Sequence, residues 1–209
     1  MDVVIISAGT GGTITGIGRK LKEKDKNILI IGVDPQGSIL ALPDDLNKEG
    51  VCPYKVEGIG YDFIPKNCDR NIVDKWYKCN DKDSFLMARR IIKEEGLLVG
   101  GSSGSALFAA LQCCKDLNLG SDKRAIVIFC DGIRNYISKF LNDDWMLENN
   151  YFTQEEYDKI TFCKYNPSVT YGEKLLISDL SLNLVIPVRK STTCIEVLEI
   201  LKSKKMDYV

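Results

Sequence analysis

No histidine occurs anywhere in the 209 residues. Serine or cysteine nucleophiles activated by an imidazole are therefore excluded within this chain, as is every histidine-ligated metal site. A charge excess of either sign is missing too: 28 Lys and Arg against 29 Asp and Glu leave a net charge of -1. That balance offers no basic field to nucleic acid and no acidic tail. No apolar run approaches the roughly 20 residues of a membrane-spanning helix, and Met1-Asp2-Val3 does not open a signal-peptide pattern. The eight cysteines never form a C-x-x-C pair, and the adjacent Cys113 and Cys114 fall in a helical stretch that suits no disulfide framework. Reduced thiols and a cytoplasmic setting are expected, with no metal, nucleic acid or membrane partner.

What is present is an alternation of strands and helices. Val3–Ile6 reads as a buried strand, and Ile14, Ile17 and Leu21 follow at helical spacing. Ile28–Val33 is a second buried strand, ended by Asp34-Pro35. Such βαβ units predict an α/β fold with a parallel sheet, helices on both faces, and ligands beyond the carboxyl ends of the strands. Residues 51–70 are punctuated by glycine and proline yet rich in large apolar side chains, which predicts an ordered loop at a cleft. Ile72–Cys79 reads as a strand, and Asn80 or Asp81 can cap a helix running to Glu95 and ended by Gly96. A short apolar run, Leu97–Val99, leads through Gly100–Ser105 into a helix to about Leu117. Ala125–Cys130 is expected as another buried strand and Arg134–Leu141 as a helix. Residues 149–172 read as a connector, after which Leu184–Val188 is a strand and Cys194–Lys204 a helix opening a second domain.

The loop Gly9-Thr10-Gly11-Gly12-Thr13 lies between the first strand and the first helix. Helical N–H groups without intrahelical partners, the positive end of the dipole and two threonine hydroxyls make an anion site. Three readings compete. A dinucleotide fits Gly9 and Gly11 at G-x-G spacing with Asp34 23 residues after Gly11, but Ile14 stands where the third glycine should be. A serine nucleophile fits Gly100-Gly101-Ser102-Ser103-Gly104 as G-x-S-x-G, but no histidine exists to take the proton. A phosphate-bearing cofactor other than a dinucleotide remains, with Ser102 facing its ring from a second strand-to-helix turn on the same rim. Spacing alone supports that reading and a pair of plain tight turns about equally.

The motifs carry a resemblance. Ser7 to Gly16 resembles the phosphate loop of fold-type II enzymes that use pyridoxal 5′-phosphate (PLP), the cysteine synthase and cystathionine β-synthase family with its tryptophan synthase β-like fold. Gly32 to Ser38, Val56 to Pro65, Val73 to Tyr77 and Arg134 to Trp145 bring it nearer the cystathionine β-synthase branch. The resemblance runs from about Val4 to Leu147, and the tail from Lys174 is similar to the first half of a CBS regulatory module.

That resemblance implies residues 1–148 as the C-terminal part of a PLP-dependent catalytic domain, 149–172 as a linker and 173–209 as the start of a truncated CBS domain. It implies Gly9, Thr10, Gly11, Gly12 and Thr13 on the cofactor phosphate and Ser102 on the pyridine nitrogen. Glu57, Gly58, Gly60 and Tyr61 are implied on the substrate, with Tyr61 near the amino-acid side chain, where simple packing is the rival role. The implied reaction condenses L-serine with L-homocysteine to cystathionine, a step of transsulfuration and cysteine biosynthesis, in an enzyme that is a homo-oligomer when intact. A cysteine synthase-like use of O-acetylserine and sulfide is the alternative, and a non-catalytic remnant the second. Two departures stand out. Cys130 precedes Asp131 where the family tends to have proline. No lysine here stands in the serine-x-lysine-aspartate-arginine setting of the family's Schiff-base lysine, so this stretch by itself is expected to be inactive.

Overall fold

The computed structural model describes residues 1–158. The expected regulatory segment, with its Leu184–Val188 strand and Cys194–Lys204 helix, lies outside them, as does most of the expected connector. The sheet begins with β1 (Val3–Ser7), buried along its whole length. A strand buried on both faces is what a parallel sheet covered on two sides requires. β2 (Leu29–Pro35) runs parallel to it with Ile5 opposite Ile31, and β3 (Lys75–Cys79) runs parallel to β2. The fourth strand, β4 (Ala125–Val127), pairs with β1, giving the order β3-β2-β1-β4.

Alternation along the strands divides the core into two layers. Val4, Ile6 and Ile30 share one cluster with Ile14, Ile17 and Leu21 of α1 (Gly12–Lys24). On the opposite face α3 (Gly101–Asp116) packs across all four strands. α2 (Asp81–Glu95) lies against α3, and Gly104 sets their approach: a Cβ there would sit 2.0 Å from the Ser84 carbonyl oxygen. The ends of α2 are as expected, with the Asn80 side chain accepting from the Asp83 N–H at 2.8 Å and Gly96 in the left-handed region at φ 68°.

Four expectations change. β3 starts at Lys75 because a 3-10 turn occupies Arg70–Ile72. β4 has three residues, and Ala125 and Ile126 are exposed rather than buried, because an edge strand has a neighbour on one side only. Leu97–Val99 forms no strand, only a single bridge from Val99 to Gly132, and α3 begins at once at Gly101. Gly101–Ser105 is thus the first turn of a helix rather than a strand-to-helix turn. Arg134–Leu141 is a 3-10 turn (Ile133–Tyr136) followed by further turns. There the Arg89 guanidinium donates to the carbonyls of Phe140 and Leu141 at 2.9 and 3.1 Å, which ties the end of the segment to α2.

Beyond α4 (Asp143–Glu148) the chain stays packed. The rings of Trp145 and Tyr151 each lie 5.4 Å from Phe85, and Arg89 sits over the buried Phe152. One compact unit therefore runs from Met1 to Tyr157. No helix among the described residues is long and apolar enough to cross a membrane.

Candidate functional site

The carboxyl end of β1 turns directly into the glycine loop. Gly11 is the N-cap of α1 at φ 83°, and a Cβ on it would lie 2.3 Å from Cβ of Cys68. Only glycine meets both conditions, the positive φ and the close approach. As a glycine, Gly11 also brings no capping side chain, so the first-turn N–H groups of α1 keep their capacity for an external acceptor. The hydroxyls of Thr10 and Thr13 are exposed and have no partner among the described residues. Ile14 is buried in the core under α1, so a branched side chain spaces helix from sheet where a dinucleotide fingerprint needs glycine.

A cavity of 410 Å³ opens above this loop. Ser7 to Gly11 with Thr13 and Ile14 form one wall, Gly58 to Tyr61 form the other, and Cys130 completes the rim. The two walls nearly touch: a Cβ on Gly9 would be 3.0 Å from the Gly58 carbonyl oxygen, and the Gly60 N–H donates to the Ala8 carbonyl at 2.8 Å. The second wall is held from behind. Tyr54 donates its hydroxyl to the Ile59 carbonyl at 3.0 Å, and Asp81 accepts from the N–H groups of Lys55 and Val56 at 2.7 and 3.0 Å. Burial, with the Asp34 and Asp62 carboxylates nearby, pushes the Tyr54 phenol up, so it stays a protonated strut.

Of the residues singled out in the sequence, Gly9, Thr10, Gly11, Thr13, Gly58, Gly60 and Tyr61 line this cavity. Gly12 is exposed beside it, with nothing within 4 Å of the position its Cβ would take. Glu57 lies outside, in an ion pair with Lys139. Ser102 is buried in the first turn of α3 and is tied to the loop through its carbonyl, which accepts from the Ser7 hydroxyl at 3.2 Å. Sequence reasoning passed over Ser7, Ala8, Ile14, Ile59 and Cys130 as lining residues. Ala8, Ile14 and Ile59 directly flank motif positions, Ser7 ends β1, and Cys130 follows β4 at the strand-end rim where open α/β sheets bind ligands.

The donor set is chemically one-sided. Backbone N–H groups at a helix N-terminus and two free hydroxyls face the cavity, and among the described residues no carboxylate lines it. That environment fits a phosphate and disfavours a cation. Among the described residues no group of three metal-ligating side chains is assembled either.

Comparison with known proteins agrees with this chemistry. Residues 1–131 match the family model described as pyridoxal-phosphate dependent enzyme. Mouse cystathionine beta-synthase is 48% identical over 99% of this chain, which spans 35% of the mouse protein. A cysteine synthase of Buchnera aphidicola is 38% identical over 66% of this chain and 44% of its own length. A crystal structure of a hydrogen sulfide-producing enzyme from Fusobacterium nucleatum superposes with a TM-score of 0.59 at 36% identity, covering 65% of this chain and 44% of that one. The chain thus spans less than half the length of each of these relatives. It belongs to the pyridoxal-phosphate dependent enzyme family, whose cofactor supplies the phosphate that the cavity's donors fit.

Proposed function

We propose that this chain carries the phosphate-binding and substrate-facing parts of a PLP-dependent β-replacement enzyme that condenses L-serine with L-homocysteine to cystathionine. The observation that carries the reading is the cavity itself, with an uncapped helix N-terminus on one wall and the Gly58–Tyr61 loop on the other. The 48% identity to the mouse relative supports the choice of reaction.

Bound at this loop, pyridoxal phosphate would supply an electron sink for the charge that develops at the amino acid's Cα. The residues present do the holding. The N–H groups at the start of α1 and the hydroxyls of Thr10 and Thr13 would take the phosphate and anchor the cofactor at this end of the sheet. Ser102, buried beside the loop, would offer the ring nitrogen a neutral hydroxyl, which would leave that nitrogen unprotonated and favour elimination and replacement over transamination. Gly58 and Gly60, at φ 83° and 78°, bring backbone close to the substrate, and Tyr61 borders its side chain. In the net reaction the serine hydroxyl leaves Cβ as water, and the homocysteine sulfur takes its place.

All six cysteines among the described residues are free, which supports a reducing, cytoplasmic compartment. The reading extends to residues 173–209 as the start of a CBS regulatory module. A second reading, O-acetylserine with sulfide, is favoured by the cysteine synthase relative. The test is the protein expressed from its complete reading frame, supplied with PLP and offered both substrate pairs. Cystathionine from L-serine and L-homocysteine is the expected product. Cysteine from O-acetylserine and sulfide alone establishes the second reading, and turnover of neither pair refutes both.

A further inference from the structure

Tyr61 faces the cavity from a loop, yet its backbone is held by a single buried side chain. The Ser38 hydroxyl accepts from the Tyr61 N–H at 2.9 Å and lies 3.0 Å from the Tyr61 carbonyl, to which it donates. The Ile39 N–H donates to the same carbonyl at 3.0 Å. Ser38 is 1% exposed and follows the carboxyl end of β2, so this clamp ties the loop to the sheet.

Ser38 is itself fixed by charge. The Lys78 ammonium donates to the Ser38 carbonyl at 2.9 Å, to Asn47 Oδ1 at 3.2 Å and to Asp34 Oδ2 at 2.8 Å. Asp34 is fully buried, and the same oxygen accepts from the Ala41 N–H at 3.1 Å. Its other oxygen has no partner among the described residues, so Lys78 is the cation that neutralises this carboxylate. A buried ion pair stabilises little by itself, but it fixes the groups around it in one arrangement. Here the arrangement ends at Tyr61. The Asp34–Ser38 turn, which a dinucleotide enzyme would use to hold a ribose, is occupied with its own loop.

We propose that Ser38 is the positioning residue for Tyr61, clamping its backbone into the cavity wall, and that the Lys78–Asp34 pair locks Ser38 for that task. The functional consequence rests on reading this cavity as the cofactor and substrate site. The clamp does not, and the two are tested separately.

The clamp is read by amide hydrogen exchange on the full 209-residue chain. In the wild type the Tyr61 N–H is expected to exchange at least about tenfold more slowly than that of the neighbouring exposed Phe63. Ser38→Ala is expected to remove that difference while amides of β1 keep their protection. Equal exchange at Tyr61 and Phe63 in the wild type overturns the clamp even if the variant fails to fold. So does a Ser38→Ala protein that keeps Tyr61 protected or loses protection across β1.

The functional arm uses the enzyme from its complete reading frame with Ser38→Ala, Tyr61→Ala and the double variant. A residue acting through Tyr61 adds nothing once Tyr61 is gone, so the double variant should match Tyr61→Ala in kcat/KM. Losses that multiply overturn the positioning role. A preserved exchange result with no kinetic loss in any variant leaves the clamp standing and refutes the cavity as the substrate site.

Discussion

Replacing Gly11 by alanine separates the geometric requirement of the loop from ordinary helix preference. At φ 83° an alanine enters the left-handed region, which costs about 1–2 kcal/mol. Its Cβ would also lie 2.3 Å from Cβ and 2.4 Å from Cα of Cys68, so backbone rather than a flexible side-chain tip must shift. Overpacking of that kind costs about 1–3 kcal/mol, bringing the sum to about 2–5 kcal/mol. For a unit of this size each kcal/mol lowers Tm by about 2–4 °C, so a drop of about 5–20 °C is expected in thermal unfolding. Gly12→Ala is the control, since nothing lies within 4 Å of its Cβ and its φ is not positive. There the gain in helix propensity is about 0.5–1 kcal/mol, lessened at a first-turn position, so stability should hold or rise. Because Gly12 borders open space at the loop, the same methyl should still weaken anion binding. A Gly11→Ala protein within 0.5 kcal/mol of wild type, or a Gly12→Ala protein as damaged as Gly11→Ala, would refute the reasoning.

Lys78→Met should destabilise by about 3–5 kcal/mol in urea unfolding, because it leaves the fully buried Asp34 carboxylate unpaired. Adding Asp34→Asn in that background should recover part of the loss, since the orphaned charge is then removed. Burial pushes the Cys79 thiol up to about 11 and the Tyr77 phenol up to about 12. Both are protonated in the folded and unfolded chains below pH 9. Above it the unfolded chain ionises first, at 9.0 for the thiol and 10.0 for the phenol. Stability should therefore fall through pH 9 to 12, and a flat profile there contradicts the assignment. Iodoacetamide at pH 8 should label the exposed Cys130 and spare Cys79, as mass spectrometry of the folded protein would read.

The parts of the fold legible in the sequence are those where local chemistry and tertiary packing agree. Asn80 and Gly96 bound α2 because capping and left-handed geometry are decided within a few residues. The runs at Val3 and Ile28 are apolar on both faces, which only a doubly covered strand satisfies. Legibility fails where partners come from far along the chain. Ala125–Cys130 has the composition of a central strand, but its place at the sheet edge depends on topology. Arg134–Leu141 has helical spacing, yet it forms a 3-10 turn and further turns whose end is tied to Arg89 of α2, some 50 residues earlier. The site divides in the same way. Gly9 to Thr13 announce themselves, because strand, glycine turn and helix are contiguous. The partnership of Tyr61 with Ser38 and Lys78 is long-range and leaves no periodic signal. The motif carrying Ser102 was visible, but its position inside a helix's first turn was not, since the preceding Leu97–Val99 run looks like a strand and forms none.

The phosphate cradle can be observed directly by recording backbone amide shifts of the 209-residue protein during titration with pyridoxine 5′-phosphate, which lacks the aldehyde and cannot condense with surface lysines. The N–H resonances of Gly11 to Ile14 should move first and furthest, and pyridoxine without its phosphate should leave them in place. Shifts confined to other residues, or equal shifts with the unphosphorylated compound, would contradict a phosphate site at the start of α1.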